Sequence, residues 1–229
     1  MTDLNQFYKK IYSQSGEDGV LEKIFETLNI EKGWFCEFGA GDGNLISNTR
    51  LLREKGWSGV LIEGDPDLFK QLTSSDISLN KNIYTINKYI SCEKGEKIDN
   101  LLSSTPIPKD FDLVSIDVDG NDLWIWKSMK KYKPKVVIIE YNSHFPVHES
   151  LTIEYDKNHR FESDRYYGAS AGALIKLGKE KGYNLIGYTN GLNLVFIDSS
   201  IKHSFMIMDP SLIEVNIGWK NSEKNMISY

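Results

Sequence analysis

The sequence is poor in cysteine, in dense runs of basic residues and in long apolar stretches. Its two cysteines, Cys36 and Cys92, are isolated and form no C-x-x-C pair, a pattern typical of proteins in a reducing cytosol. No apolar run approaches the length that spans a bilayer, and the first residues contain no apolar core of a signal peptide. We therefore expect a cytoplasmic protein without a membrane span.

Positive charge is also sparse. The net charge is −5, and the 27 Lys and Arg residues are spread along the chain without a dense basic run. A nucleic-acid-binding protein usually carries a concentrated basic face, so we expect no nucleic-acid partner. A chain of 229 residues with 40% hydrophobic content can bury a full core as one domain. The sequence leaves open whether the chain forms a homodimer.

Predicted strands and helices alternate along most of the chain. The interior strands are continuous apolar runs, as expected where helices cover both faces of a parallel sheet. The predicted strands cover residues 34–39, 58–65, 82–90, 111–117, 134–142, 183–189 and 193–198. The predicted helices cover residues 19–30, 47–56, 65–73, 95–103, 123–132 and 170–182. Asn190 and Gly191 join the last two strands, which indicates a hairpin.

This order predicts an α/β fold with a doubly wound, mostly parallel seven-stranded sheet that ends in an antiparallel hairpin. We expect a single domain over residues 1–229, with its core at 12–198. Residues 143–167, the lid segment, are polar and interrupt the alternation as an insertion that would cover the substrate. Residues 199–229, the tail, contain "SFMIMD" and "LIEVNIGW", which have enough apolar side chains to predict partial order.

The glycine-rich loop "CEFGAGDGN" follows the first predicted core strand. Gly39 and Gly41 allow a sharp turn and a close approach to a ligand, but their G-x-G-x-G spacing differs from the dinucleotide pattern G-x-G-x-x-G. Glu37 and Asp42 would repel a pyrophosphate, whereas they suit the ammonium and sulfonium of S-adenosylmethionine (SAM). Glu63 ends the second strand 21 residues after Asp42, where a carboxylate can accept hydrogen bonds from ribose hydroxyls. The loop therefore indicates a SAM site.

The stretch "LVSIDVDGND" brings three carboxylates to the end of the fourth core strand. It is not an EF-hand loop, because the glycine and glutamate positions of that motif are occupied by Asp122 and Ser128. Asp117 and Glu140 end neighbouring strands, and their oxygens could hold Mg²⁺ or Mn²⁺. The alternative interpretation is that Asp117 lines the methionine end of SAM. Asp122 is expected to cap the helix that starts after it.

Two histidines follow the fifth core strand in "EYNSHFPVHE". Imidazole is suited to proton removal near neutral pH, so His144 is the first candidate for a catalytic base and His148 the second. The lid segment mixes aromatic residues with Arg160 and Arg165, which would suit a sugar or an anionic group; a solvated insertion explains the same composition. His159 is expected at the surface.

Several motifs resemble those of known enzymes. "EFGAGDG" resembles the first motif of class I SAM-dependent methyltransferases, and "FDLVSIDVDGNDLWIW" followed by "PKVVIIEYN" resembles the FkbM-like family. "YSQSGED" is similar to a segment ahead of the core in these proteins. Asp117, Gly120 and Asp122 occupy the matching acidic, glycine and acidic positions, although Asp119 replaces a glutamate and Asp122 is shorter than the usual glutamate. The resemblance implies O-methyl transfer, commonly to sugar or polyketide hydroxyls.

These observations define the expected site. The residues expected to bind SAM are Gln14, Glu37, Gly39, Gly41, Asp42, Glu63, Gly64, Asp65, Ser91 and Asp117. The residues expected to bind a small-molecule or sugar substrate are Asn142, His148, Arg160, Arg165 and Tyr167. His144 and Asp117 are the expected catalytic residues, and Asp117 with Glu140 the expected metal ligands. The rival interpretations are a non-catalytic SAM-binding module and a nucleotide-sugar or NAD enzyme on a similar sheet.

Overall fold

The computed structural model describes residues 1–74, 76–93, 96–217 and 224–229. The strands are β1 Trp34–Phe38, β2 Ser58–Glu63, β3 Ile83–Asn87, β4 Leu113–Ile116, β5 Val136–Glu140, β6 Leu151–Thr152, β7 Tyr183–Thr189, β8 Asn193–Asp198 and β9 Ile227–Ser228. The α-helices are α1 Glu17–Thr27, α2 Arg50–Glu54, α3 Pro66–Ser74, α4 Ile98–Leu102, α5 Asp122–Ser128 and α6 Ala171–Glu180. Short 3₁₀ helices cover Leu4–Phe7, Asp76–Leu79 and Pro210–Leu212. Residue 95, where the fourth helix was predicted to begin, lies outside the described residues.

Seven strands form one sheet in the order β3-β2-β1-β4-β5-β8-β7. The five strands from β3 to β5 are parallel, whereas β8 runs antiparallel to both β5 and β7. The predicted doubly wound, mostly parallel seven-stranded sheet with its antiparallel terminal hairpin is confirmed. A separate two-stranded sheet of β6 and β9, which the sequence did not indicate, joins the lid segment to the tail.

The central strands are buried on both faces, which explains their unbroken apolar sequences. In β4, Val114 and Ile116 pack into one hydrophobic cluster with Trp126 of α5 and Phe196 of β8. Leu113 points to the opposite face and packs into a second cluster, with α1 and Trp57. Because successive side chains of a strand alternate between faces, each apolar run supplies both clusters at once.

Helix α2 is shorter than the predicted helix at 47–56. Residues 47–49, the first three of the predicted helix, precede α2 and are not helical. Their hydroxyl and amide groups instead donate hydrogen bonds to the buried Glu37 carboxylate. The polar segment therefore connects the glycine loop to α2 through a side chain of β1. A local propensity for helix is outweighed here because a buried carboxylate needs hydrogen-bond donors.

The described part of the tail packs on the rest of the molecule. Phe205, Met208 and Ile213 are buried, and the Met208 amide donates to the Leu185 carbonyl of β7. The Asn216 amide donates to the Ser143 carbonyl at the start of the lid segment. Gly218 and Trp219 of the stretch "LIEVNIGW" lie outside the described residues. Within the described parts of the chain, no helix is long and apolar enough to cross a bilayer.

The fold brings several loops to one place. The carboxyl ends of β1, β2, β4 and β5 share one edge of the sheet, because these strands are parallel. The chain order reverses between β1 and β4, since β2 follows β1 on one side and β4 lies on the other. Ligands of open α/β sheets bind at such a reversal, and a cavity lies there.

Candidate cofactor and active site

A cavity of about 520 Å³ opens at the carboxyl edge of the sheet. The loops after β1, β2, β3 and β4 form its walls, and part of the lid segment covers it. Of the residues predicted to bind SAM or substrate, eight line it: Glu37, Gly39, Gly41, Asp42, Glu63, Gly64, Asp117 and Arg160. The structure thus brings most of the glycine loop and the end of the second strand to a single cavity.

Gly39 and Gly41 both adopt a left-handed backbone, with φ of 67° and 55°. A Cβ at Gly39 would overlap the carbonyl oxygen of Asp117, so the loop after β1 lies directly against the end of β4. A Cβ at Gly41 would meet no described atom within 4 Å and would project into open space. Gly39 therefore serves close packing of the backbone, and Gly41 leaves room for a ligand.

The Glu63 carboxylate organises this loop. Its Oε2 accepts a hydrogen bond of 2.7 Å from the Gly41 amide, and its Oε1 accepts one of 2.7 Å from the Asp65 amide. The side chain is only 7% exposed, yet it lines the cavity. A carboxylate has about four acceptor positions, so Glu63 keeps acceptor capacity for ligand hydroxyls while it holds the loop.

Glu37 and Asp42 hold the chain beyond the glycines. Glu37 accepts from the hydroxyls of Ser47 and Thr49 and from the Asn48 amide, at 2.7–2.9 Å. Burial raises the pKa of the Glu37 carboxyl, and these hydrogen bonds offset part of that rise. Asp42 accepts from backbone amides two and three residues further on, both at 2.8 Å. Both carboxylates therefore shape the cavity as well as line it.

Three carboxylates meet beside the cavity. One oxygen each of Asp117, Asp119 and Glu140 lie within 4.8 Å of one another. Burial raises the pKa of Asp117 and of Glu140 well above the usual range, and repulsion from nearby carboxylates adds to the rise. β4 ends at Ile116, so the alternation of a strand does not set the relative positions of the two aspartates; Asp119 has a left-handed φ of 52°. We call this group the carboxylate cluster.

Asp122 has a different role from the predicted helix cap. It is the first residue of α5, and its two oxygens accept hydrogen bonds of 2.9 Å from the amides of Val118 and Gly120. These amides precede the helix. Asp122 is completely buried, and burial raises its pKa to about 6. Its carboxylate therefore fixes the turn that carries Asp117 and Asp119.

Contacts on two sides hold the lid segment over the cavity. On the β4 side, the Asn121 side chain donates to the Asp156 carbonyl at 2.7 Å. On the β3 side, Lys157 pairs with Glu93 at 3.2 Å. There the guanidinium of Arg160 also lies 4.2 Å from the centre of the Tyr89 ring. Residues 157 and 159–161 consequently line the cavity.

His159, which was expected at the surface, is half-buried and lines the cavity. Its Nε2 lies 3.2 Å from the Asp119 carbonyl oxygen, and its ring covers Gly120. Burial lowers its pKa below the usual value. The signal in the sequence was its position next to Arg160, in a segment already predicted to cover the substrate. No local pattern indicates that this segment would reach the turn after β4.

Several predicted site residues lie outside the cavity lining: Gln14, Asp65, Ser91, Glu140, Asn142, His144, His148, Arg165 and Tyr167. His144 is buried, and its Nδ1 lies 2.7 Å from the Asn216 carbonyl oxygen of the tail. His148 is exposed. Asn142 is completely buried and donates to the carbonyls of Arg165 and Tyr167, both at 2.9 Å. The structure thus connects the end of β5 to the lid segment and the tail.

Replacement of Asn142 tests whether this residue supports the fold rather than the substrate. We expect Asn142→Ala to lower the free energy of unfolding by about 2–4 kcal/mol, because the carbonyls of Arg165 and Tyr167 lose their hydrogen-bond donor. SAM affinity should stay at the wild-type value. Asn100→Ala, on the exposed surface of α4, is the control and should change stability by less than about 0.5 kcal/mol. Urea unfolding and calorimetry measure the two quantities; wild-type stability in Asn142→Ala would contradict the assignment.

No family model and no curated protein sequence matches the chain. Among solved structures, a CurJ carbon methyltransferase has a TM-score of 0.50 at 10% identity, over 82% of this chain and 57% of its own. A SAM-dependent methyltransferase from Clostridium acetobutylicum ATCC 824 has a TM-score of 0.48 at 14% identity, over 79% and 89%. One from Aquifex aeolicus has 0.44 at 14%, over 76% and 86%. The likeness to the CurJ enzyme, together with the strand order, shows that the sheet has the Rossmann-like methyltransferase fold.

Proposed function

We propose that this chain binds SAM in the cavity and transfers its methyl group to a hydroxyl of a small molecule. The observation that carries the proposal is the geometry at Gly41 and Glu63. The space beside Gly41 is open, and the buried Glu63 carboxylate lies next to it with acceptor capacity left. A ribose hydroxyl is a donor of the right kind for that carboxylate.

The remaining walls fit the other parts of SAM. Leu68 and Tyr89 are exposed apolar side chains that line the cavity, and the Tyr89 ring lies against Gly64. They would hold the adenine, whose flat face would cover them. Asp117 lines the same cavity and would lie on the side of the cationic methionine end. An acidic wall favours this ligand over a pyrophosphate, which supports SAM over NAD.

The chemistry asked of the protein is modest. When bound, SAM supplies a methyl group whose C–S bond breaks as an acceptor oxygen forms the new O–C bond, leaving a neutral thioether and releasing the hydroxyl proton. The protein must align the acceptor and take up that proton. Asp117, Asp119 and His159 are titratable side chains that line this side of the cavity. We assign proton uptake to this group rather than to His144, which lies outside the lining.

The lid segment supports a polar acceptor. Lys157, His159, Arg160 and Phe161 line the cavity from that segment and combine cationic, aromatic and hydrogen-bonding groups. Aromatic faces pack on sugar rings, and cationic groups pair with phosphate or carboxylate. The resemblance of "FDLVSIDVDGNDLWIW" to the FkbM-like family points the same way. We therefore propose a sugar or a glycosylated small molecule as the acceptor.

Glu63→Ala tests the cofactor site. We expect SAM to bind about 1–3 kcal/mol more weakly than to the wild type, because charged hydrogen bonds to the ligand and the loop are lost. Isothermal titration calorimetry measures this affinity. Glu26→Ala, an exposed carboxylate on α1, is the control and should bind SAM as the wild type does. Equal SAM affinity in Glu63→Ala and the wild type would contradict the assigned ribose contact.

Two further measurements separate the rival functions. Titration with NAD should give no binding, and NAD affinity higher than SAM affinity would favour a dinucleotide enzyme. Radiolabelled methyl transfer from SAM to a panel of sugars and nucleotide sugars should give a labelled product. Tight SAM binding without transfer to any acceptor of a broad panel would favour a non-catalytic SAM-binding module.

A further inference from the structure

The carboxylate cluster lies between the ends of β4 and β5, beside the cavity. We propose that Asp117, Asp119 and Glu140 bind a hard divalent cation, Mg²⁺ or Mn²⁺. Glu140 comes from the end of β5, whereas the two aspartates belong to the turn after β4. The site therefore joins two neighbouring strand ends through one ion.

The spacing of the oxygens suits such an ion. Three carboxylate oxygens, one per residue, lie within 4.8 Å of one another. Oxygen ligands surround Mg²⁺ at about 2.0–2.1 Å, so two ligands on opposite sides of the ion are about 4 Å apart. Small side-chain movements would bring all three oxygens to bonding distance. An oxygen-only set selects a hard cation over zinc or copper, which favour nitrogen and sulfur ligands.

Glu140 provides a second and independent observation. Its side chain is only 7% exposed, and among the described residues its Oε2 has no hydrogen-bond partner although that atom is fully buried. None of the ion pairs found in the described parts of the chain includes a member of the cluster. A buried carboxylate without a donor or a counter-charge is costly. A bound cation would supply the missing partner to Glu140 and neutralise the cluster.

The position of the site gives the cation a role in acceptor binding, which rests on the proposed function. Asp117 and Asp119 line the cavity, whereas Glu140 lies behind them. Coordination positions of the ion that the protein leaves open would therefore face the cavity. An acceptor hydroxyl bound there would be oriented, and its pKa would be lowered. The acceptor class is then a molecule with an oxygen that can coordinate a divalent cation.

Direct Mn²⁺ binding tests the site without any assay of activity. We would titrate the full chain with Mn²⁺ and follow the free ion by electron paramagnetic resonance. We expect one bound ion per chain, with at least tenfold weaker binding in Glu140→Gln and in Asp119→Asn. Asp110→Asn, an exposed aspartate at the opposite edge of the sheet, is the matched control and should bind Mn²⁺ as the wild type does.

The outcomes separate the cation site from the methyltransferase proposal. Absence of Mn²⁺ binding to the wild type at millimolar concentration, or equal binding by both cluster variants and the wild type, would overturn the site. If a proton shared between the carboxyl groups stabilises the cluster in place of a cation, the wild type will bind no Mn²⁺. Should Glu140→Gln fail to fold, Asp119→Asn still decides, because Asp119 is exposed. SAM affinity measured in EDTA tests the cofactor site on its own, so either proposal can fail without the other.

Discussion

Gly39→Ala is expected to be strongly destabilised and to lose SAM binding together with its fold. The new Cβ would overlap the Asp117 carbonyl oxygen, a backbone atom held at the end of β4. Alanine is also strained at the left-handed φ of 67°. Backbone displacement and strain together should cost about 3–5 kcal/mol of the free energy of unfolding. Chemical denaturation followed by circular dichroism measures this loss.

Gly41→Ala is the matched control for that variant. Its φ of 55° imposes a similar strain, about 1–2 kcal/mol, but its Cβ would project into open space. We expect it to fold with only that loss and to bind SAM at least tenfold more weakly; Gly41→Val should bind no SAM. Equal stability of Gly39→Ala and Gly41→Ala would show that the close approach to Asp117 is unimportant. Wild-type SAM affinity in Gly41→Val would place the cofactor elsewhere.

Asp117→Asn is expected to keep the fold and to lose methyl transfer by at least about 100-fold, the usual effect of removing a group that acts on the reacting atoms. Asn has the shape of Asp but lacks its charge, and it can neither accept the acceptor proton nor bind a divalent cation strongly. Asp117 lines the cavity and belongs to the carboxylate cluster. Initial rates at saturating SAM measure this effect.

Asp122→Asn is the control for the loss of charge in the same turn. Asp122 accepts hydrogen bonds from two backbone amides, and the variant loses one of them. The variant also removes a buried carboxyl group, whose pKa burial raises to about 6. These effects offset each other, so stability should change by less than about 2 kcal/mol. Because Asp122 is absent from the cavity lining, methyl transfer should fall far less than in Asp117→Asn. Wild-type turnover in Asp117→Asn would show that Asp117 has a structural role only.

The sequence by itself determined the layered fold and the glycine loop. Unbroken apolar runs in β1, β4 and β5 indicated strands buried on both faces, and the glycine spacing indicated a turn with room for a ligand. These features depend on side-chain periodicity and on the backbone freedom of glycine, which are local properties. Glu63 was predicted to bind the cofactor on similarly local grounds, because it ends an apolar strand 21 residues after Asp42 of the loop.

Only the tertiary structure decided which loops meet above the sheet. His159 reaches the cavity because the lid segment is held to Asn121 on one side and to Glu93 on the other. His144 lies four residues after the end of β5, yet its ring contacts the tail and lies outside the cavity lining. Both outcomes depend on contacts between segments far apart in the chain, and residue type and spacing do not encode them.

The carboxylate cluster was likewise only partly predictable from the sequence. The sequence indicated that Asp117 and Glu140 end adjacent strands, because parallel strands bring their carboxyl ends to one edge. It could not place Asp119 with them, since β4 ends at Ile116 and the alternation of a strand stops there. The left-handed backbone at Asp119 and the amides held by Asp122 bring the third carboxylate into place. Local periodicity thus determined the two strand ends, and a turn stabilised by a buried side chain decided the geometry between them.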